Sequence, residues 1–115
     1  MNIVKVIQQE SKKCLNHVAI RETDSSFTYE QLFENIKDIS QKLENKEIKK
    51  YARVALLCPD GADYIILVLA ILSLNAVAVP ISLNSTKKEI NRIIDEMKIE
   101  YFIFDEKLYD SNEKH

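Results

Sequence analysis

Glycine is almost missing from this 115-residue chain, with Gly61 the single example. A phosphate-cradling loop needs several glycines, because backbone N–H groups must approach the anion with no side chain in the way. No Walker-type or dinucleotide-binding loop can therefore be drawn. Cysteine is scarce as well. Cys14 and Cys58 are too few for a disulfide framework and no ligand-type residues cluster around either, so both read as reduced, inert thiols of a cytoplasmic protein. Histidine is limited to His17, at the mouth of a predicted strand, and His115, at the terminus, which leaves nucleophilic catalysis without a suitably placed base. Cys14 and His17 stand three residues apart, but a metal site needs further ligands at short spacing and none joins them. Nor is one sign of charge in excess: 16 basic against 18 acidic residues leave a net charge of −2. That balance gives no electrostatic reason to expect nucleic acid or an anionic membrane as partner. The first ten residues carry one lysine and no long apolar run, so no secretory signal is expected there.

What remains is the composition of a soluble globular protein, 46% apolar and 30% charged, of a length that fits one domain. A chain of this size buries roughly two-thirds of the surface its unfolded form exposes, enough for a true core. Ile3, Val6, Ile7 and Cys14 mark one face of a short first helix. Residues 18–23 read as a strand, Asp24-Ser25-Ser26 as a turn, and Phe27 as a short return strand. Thr28 with Gln31 three residues later predicts a capping box, and behind it Leu32, Ile36, Ile39 and Leu43 form one stripe of an amphipathic helix. Residues 45–51 are charged and aperiodic, as expected of a surface loop.

Residues 53–58 form a short apolar run closed by Pro59-Asp60-Gly61, the pattern of a strand buried on both faces. Residues 62–74 follow as a helix, apolar on every side from Tyr64 to Leu72. Asn75 sits where that helix should stop, since asparagine tolerates the left-handed conformation of a C-terminal turn. Residues 76–81 are a second buried strand, closed by Pro80 and Ser82. Thr86-Lys87-Lys88-Glu89 predicts another capping box, followed by Ile90, Ile93, Ile94 and Met97 at helical spacing. Residues 101–104 form the third strand, and 107–115 a polar, frayed tail beyond a domain spanning 1–106.

Strand, helix, strand, helix, strand with short loops implies a parallel sheet with right-handed crossovers, hence a three-layer α/β domain with a βαβαβ core, an N-terminal helix and a short β-hairpin. Residues 64–83 lack charge over 20 positions, long enough to span a bilayer. Asn75 and Pro80 interrupt that run, however, and 76–80 fits a strand better, so no membrane span is expected. A helix apolar all round must be covered on both sides, either by its own domain or by another polypeptide. Among polar residues, Asp60, Ser82, Asn84 and Asp105 fall at the carboxyl ends of predicted strands, where ligands sit in open parallel sheets. Turn and cap chemistry puts the same residue types in the same places. Asp63, Asp95, Glu96 and Glu106 complete the acidic candidates, and nothing pairs them for catalysis.

Three stretches together resemble one family. Phe27-Thr28-Tyr29-Glu30-Gln31-Leu32 is similar to the first core motif of the adenylate-forming superfamily. Arg53-Val54-Ala55-Leu56-Leu57-Cys58-Pro59 resembles the strand that follows it. The run from Leu69 through Asn75 to Pro80 and Ile81 resembles the second core motif, a helix end leading into a strand closed by proline. Val18-Ala19-Ile20 before the first motif, and Thr86 to Glu89 behind the second, stand at matching spacings, so the resemblance covers roughly residues 16–105. Tyr51-Ala52 replaces the family's usual Gly-Asp, and Asn75 its usual glycine; neither position is catalytic.

The resemblance implies a portion of a ligase that activates a carboxylate with ATP and Mg²⁺ as an acyl-adenylate and passes it to a thiol, as in acyl-CoA synthetases and peptide-synthetase adenylation domains. It implies no catalytic, cofactor-binding or metal-binding residue in this chain. The family's phosphate loop, its aromatic-Gly-x-Thr-Glu stretch, its ribose-binding aspartate and its C-terminal lysine all lie downstream of the matched motifs. The expectation is therefore a piece inactive alone, needing either the rest of the protein or a companion polypeptide with the phosphate loop. The other expectation is a stand-alone interaction module derived from that subdomain, self-association through an apolar face included.

Overall fold

The computed structural model describes residues 2–22, 24–59 and 61–104, with the backbone alone for 107–110. Helix α1 (Ile3–Ser11) is capped by Asn2, whose Oδ1 accepts from the Val4 N–H at 2.9 Å. Its buried residues are Val4 and Ser11, while Ile3 is 55% exposed. The inward face is thus rotated from the Ile3-centred one expected, with Val6 and Ile7 half-buried beside it. Cys14 closes a short 3-10 turn beyond the helix end. Strands β1 (Val18–Arg21) and β2 (Ser26–Thr28) pair as an antiparallel hairpin, closed by Glu22 N–H donating to Ser25 O at 2.8 Å. Of the residues expected in the first strand, Thr23 lies outside those described.

Helix α2 (Tyr29–Asn45) begins as the sequence requires. Gln31 N–H donates to Thr28 Oγ1, and Thr28 N–H donates to the Gln31 side chain, so two otherwise orphaned donors are satisfied reciprocally. Leu32, Ile36 and Leu43 are buried along its stripe. The segment after it is not merely a surface loop. Glu47 adopts φ 63°, Glu47 N–H donates to Glu44 O, and Ile48 N–H donates to Leu43 O, a Schellman turn that drops Ile48 into the core at 6% exposure. A charged, aperiodic heptad hides that plug because a helix-ending turn carries no repeat.

Strands β3 (Arg53–Leu57), β4 (Val77–Pro80) and β5 (Tyr101–Phe104) form the parallel sheet, in the order β4-β3-β5. Val54 and Leu56 join the core on one face, and Ala55 and Leu57 the core on the other, so β3 is buried on both sides. A fourth strand, β6 (Lys107–Asp110), pairs antiparallel with β5. This corrects the expectation of a frayed tail over those four residues; 111–115 lie outside the described residues. The correction has a physical reason: four residues with charged ends are too short to show a period of two, and they are ordered by pairing with β5, from Tyr101↔Asp110 to Phe104↔Lys107.

Helix α3 (Ala62–Ser73) crosses from β3 to β4, and α4 (Lys87–Glu96) from β4 to β5 on the opposite face. With α1, α2 and α3 on one side and α4 on the other, the domain has three layers. The sheet, α2 and α1 supply most of the cover that the all-round apolar α3 demands, leaving Ile65 41% exposed. Asn75 takes φ 59°, as expected, with Ala76 N–H donating to Ile71 O and Asn75 N–H to Leu72 O. The uncharged run 64–83 is therefore split by a Schellman turn, and among the described residues no helix is long and apolar enough to cross a membrane.

Thr86 caps α4, accepting from Glu89 N–H at 3.1 Å, but the Glu89 carboxylate accepts from the Thr86 hydroxyl rather than from its backbone N–H. The expected capping box is only half formed. Helix α4 also ends in a Schellman turn, with Lys98 at φ 53° and Ile99 N–H donating to Ile94 O. At the sheet edge, Val77 N–H donates to Ala52 O and Ile81 N–H to Leu56 O, so the alternate residues Ala78 and Pro80 face away from β3.

Candidate functional site

The carboxyl ends of β3 and β5 open onto a cleft of about 660 Å³ between the last turns of α2 and the first turns of α3. Its floor is apolar: Ile39 and Leu43 from α2, Ile66 and Leu67 from α3, and Ile103 from β5. These residues meet because the i, i+4 stripe of α2 and the inner face of α3 are both directed at the same sheet face. Lys42 and Lys46 stand on the α2 rim, Asp63 and Tyr64 on the α3 rim, and Cys58 and Pro59 at the end of β3. The charged rim residues are exposed and solvated.

Glu22 makes a long-range contact at the cleft. From the far end of the β1–β2 hairpin, its Oε1 accepts from Ala62 N–H at 2.9 Å, placing a carboxylate at the positive end of the α3 dipole. Position 61 is glycine and offers no side-chain cap, and its backbone (φ 145°, ψ −172°) lies in a region that only glycine occupies readily. A β-carbon at Gly61 would lie in ordinary contact with the Glu22 carboxylate, 3.8 and 4.0 Å from its oxygens, so the backbone angle and not space is what selects glycine. Sequence reasoning missed Glu22. The available signal was negative: a helix starting at Ala62 with no Ser, Thr, Asp or Asn before it at 61 must take its cap from elsewhere.

The other candidates among the described residues lie apart from one another. Asp63 reaches the cleft rim, whereas Asp95 lies on the α4 surface with Thr86, Lys88, Glu89, Asn91 and Arg92, and Glu96 is exposed. Ser82 and Asn84 serve a turn, with Asn84 N–H donating to Ser82 Oγ at 3.1 Å. His17 is exposed, and its backbone N–H closes the turn onto Cys14 O at 2.9 Å. Asp60, Asp105, Glu106 and His115 lie outside the described residues. Among the described residues no group of three or more His, Cys, Asp or Glu is placed to hold a metal ion. Such an arrangement can bind an apolar surface with a charged rim.

A three-layer α/β module whose described residues form scaffold and cleft is thus the class the geometry defines. A family model described as AMP-binding enzyme matches residues 7–115, and the chain belongs to that family. The polyketide synthase-nonribosomal peptide synthetase phmA of Phaeosphaeria nodorum is 25% identical over 103 residues, covering 90% of this chain and 2% of that protein. The nonribosomal peptide synthetase kk1B of Curvularia clavata is 28% identical over 93 residues, covering 81% of this chain and 1% of that protein. Among solved structures, the NpsA N-terminal subdomain of Klebsiella oxytoca in complex with anthranilyl-AMSN has the same fold, with a TM-score of 0.86 at 24% identity over 90% of this chain. The chain spans 27% of that subdomain's length, so it corresponds to a fragment of what its relatives contain.

Proposed function

We propose that this chain is the N-terminal structural portion of an adenylate-forming ligase of the peptide-synthetase adenylation type. The observation that carries the reading is the likeness to the NpsA N-terminal subdomain over 90% of the chain, joined to the family match. In the complete enzyme a substrate carboxylate oxygen attacks the α-phosphorus of ATP, and pyrophosphate leaves. A thiol then attacks the acyl carbon, and AMP leaves. The described residues do not fit a Mg²⁺ site or a phosphate loop, so no part of either step is assigned to them. Their contribution is to build the sheet, to hold α3 in its cover of helices, and to present the cleft. ATP and Mg²⁺ would be bound by the rest of the enzyme, in the same polypeptide or in a companion, and this portion alone would have no activity. A cytoplasmic location follows from the same reading.

The test is to tag the protein in its own host, recover it, and identify by mass spectrometry what accompanies residues 1–115. The expected result is peptides from a phosphate-loop segment, either in the same polypeptide or at one-to-one stoichiometry, together with carboxylate-dependent pyrophosphate exchange by the recovered material. Recovery of a compact chain with neither segment nor exchange would overturn the reading and leave an interaction module.

A further inference from the structure

Helix α1 is held to the body at its N-terminal end by one side chain. The Asn2 side chain uses both halves of its amide. Oδ1 accepts from Val4 N–H at 2.9 Å and caps α1, while Nδ2 donates to Leu72 O at 2.8 Å and to Asn75 Oδ1 at 2.8 Å, with Ser73 O at 3.4 Å. The α1 N-terminus, a positive dipole end, is thereby seated on the carbonyls that form the negative end of α3. Behind this contact, Val4 is the one fully buried apolar residue of α1, and Lys5, Gln8, Gln9 and Glu10 are exposed. Beneath α1 lies a helix that is apolar on every side. At its other end Ser11 is buried and α1 runs into the 3-10 turn Lys12–Cys14, beyond which Leu15 O accepts from Glu30 N–H at 3.1 Å and anchors the chain to α2.

From this geometry we propose that α1 is a strap that opens and closes over α3 as one unit, with the Asn2 amide as its latch and the turn Lys12–Cys14 as its hinge. Because cap and latch share one side chain, the cap fixes the amide so that Nδ2 is aimed at the end of α3. Opening uncovers apolar α3 surface, so the latch sets how often that surface is displayed.

Native-state hydrogen exchange on the intact protein tests this, with α1 amides followed against those of α2 and α3. The strap requires the α1 amides to exchange through one common opening, faster than the α2 and α3 amides. The variant N2D keeps the cap acceptor but replaces the latch donor with a carboxylate facing carbonyl oxygens. It should raise α1 exchange roughly tenfold or more while leaving α2 and α3 unchanged. N2A, which loses the cap too, should raise it several-fold further, on the order of the measured cost of losing a cap. Increased binding of an apolar dye by N2D, at unchanged α3 exchange, would accompany the opening. A graded rise in exchange toward residue 3, protection of α1 equal to that of α3, or an N2D rate equal to the unsubstituted one would each overturn the proposal.

Discussion

The two faces of the sheet are built to different depths. On one face Val54, Leu56 and Ile103 meet α3, which is itself backed by α1 and α2, so Ala70 and Ile71 are fully enclosed at 0% exposure. On the other, Ala55, Leu57, Val79 and Ile81 meet α4 alone. No residue of α4 is buried; Ile90, Ile93 and Ile94 are half-covered and Met97 is 43% exposed. Burial on the two faces therefore differs widely although α4 carries a regular i, i+3, i+4 stripe, because periodicity reports which way a stripe faces and not what stands behind it.

Five substitutions would break or sharpen that contrast. Ile71→Ala on the deep face should cost about 3–4 kcal/mol in denaturant unfolding, the range for enclosed large-to-small changes. Ile94→Ala on the shallow face should cost about 1–2 kcal/mol, since water already reaches part of the side chain. Equal losses at the two sites would show that the faces are energetically equivalent. Next, Thr28→Ala removes a complete capping box and Thr86→Ala a half-formed one; about 1–1.5 kcal/mol against about 0.5–1 kcal/mol is expected, read from the same unfolding curves. The smallest effect has the opposite sign. Lys98 is held at φ 53°, where a β-carbon is disfavoured, so Lys98→Gly should raise stability by about 0.5 kcal/mol, the relief of the left-handed backbone less the entropy glycine adds to the unfolded chain. A loss of stability instead would mean that the lysine side chain contributes more at that turn than its backbone costs.

Local signals account for what was legible in the sequence. The α2 stripe, the Thr28–Gln31 box, the doubly buried β3 and the left-handed Asn75 each depend on residues within a few positions of one another, and each appears in the structure. The family resemblance rested on the same stretches. Illegible features depend on distant partners. Glu22 caps a helix 40 residues away, and Asn2 bonds to Leu72 and Asn75 across 70 and 73 residues. The rotation of α1 that buries Val4 rather than Ile3 follows from where α3 lies, which no window around α1 reveals. Two Schellman turns were missed because Glu47 and Lys98 stand where glycine usually signals them; asparagine at 75 kept enough of that signal to be read. Among the described acidic candidates, Asp63 stands at the cleft rim and Asp95 on the α4 surface, because helix position alone does not bring side chains to a common point.

Pro80 has a consequence for assembly. Two backbone positions on the outer side of β4, Ala78 and Pro80, are turned toward an incoming strand, and proline has no N–H to give. A strand arriving there would find a single donor, that of Ala78. Pro80 therefore weakens strand addition on the β4 flank by one hydrogen bond, which disfavours pairing of this short, valine-rich edge with another copy of itself. Growth of the sheet by strand addition is thus chemically uneven along this edge, easier beside Ala78 than beside Pro80.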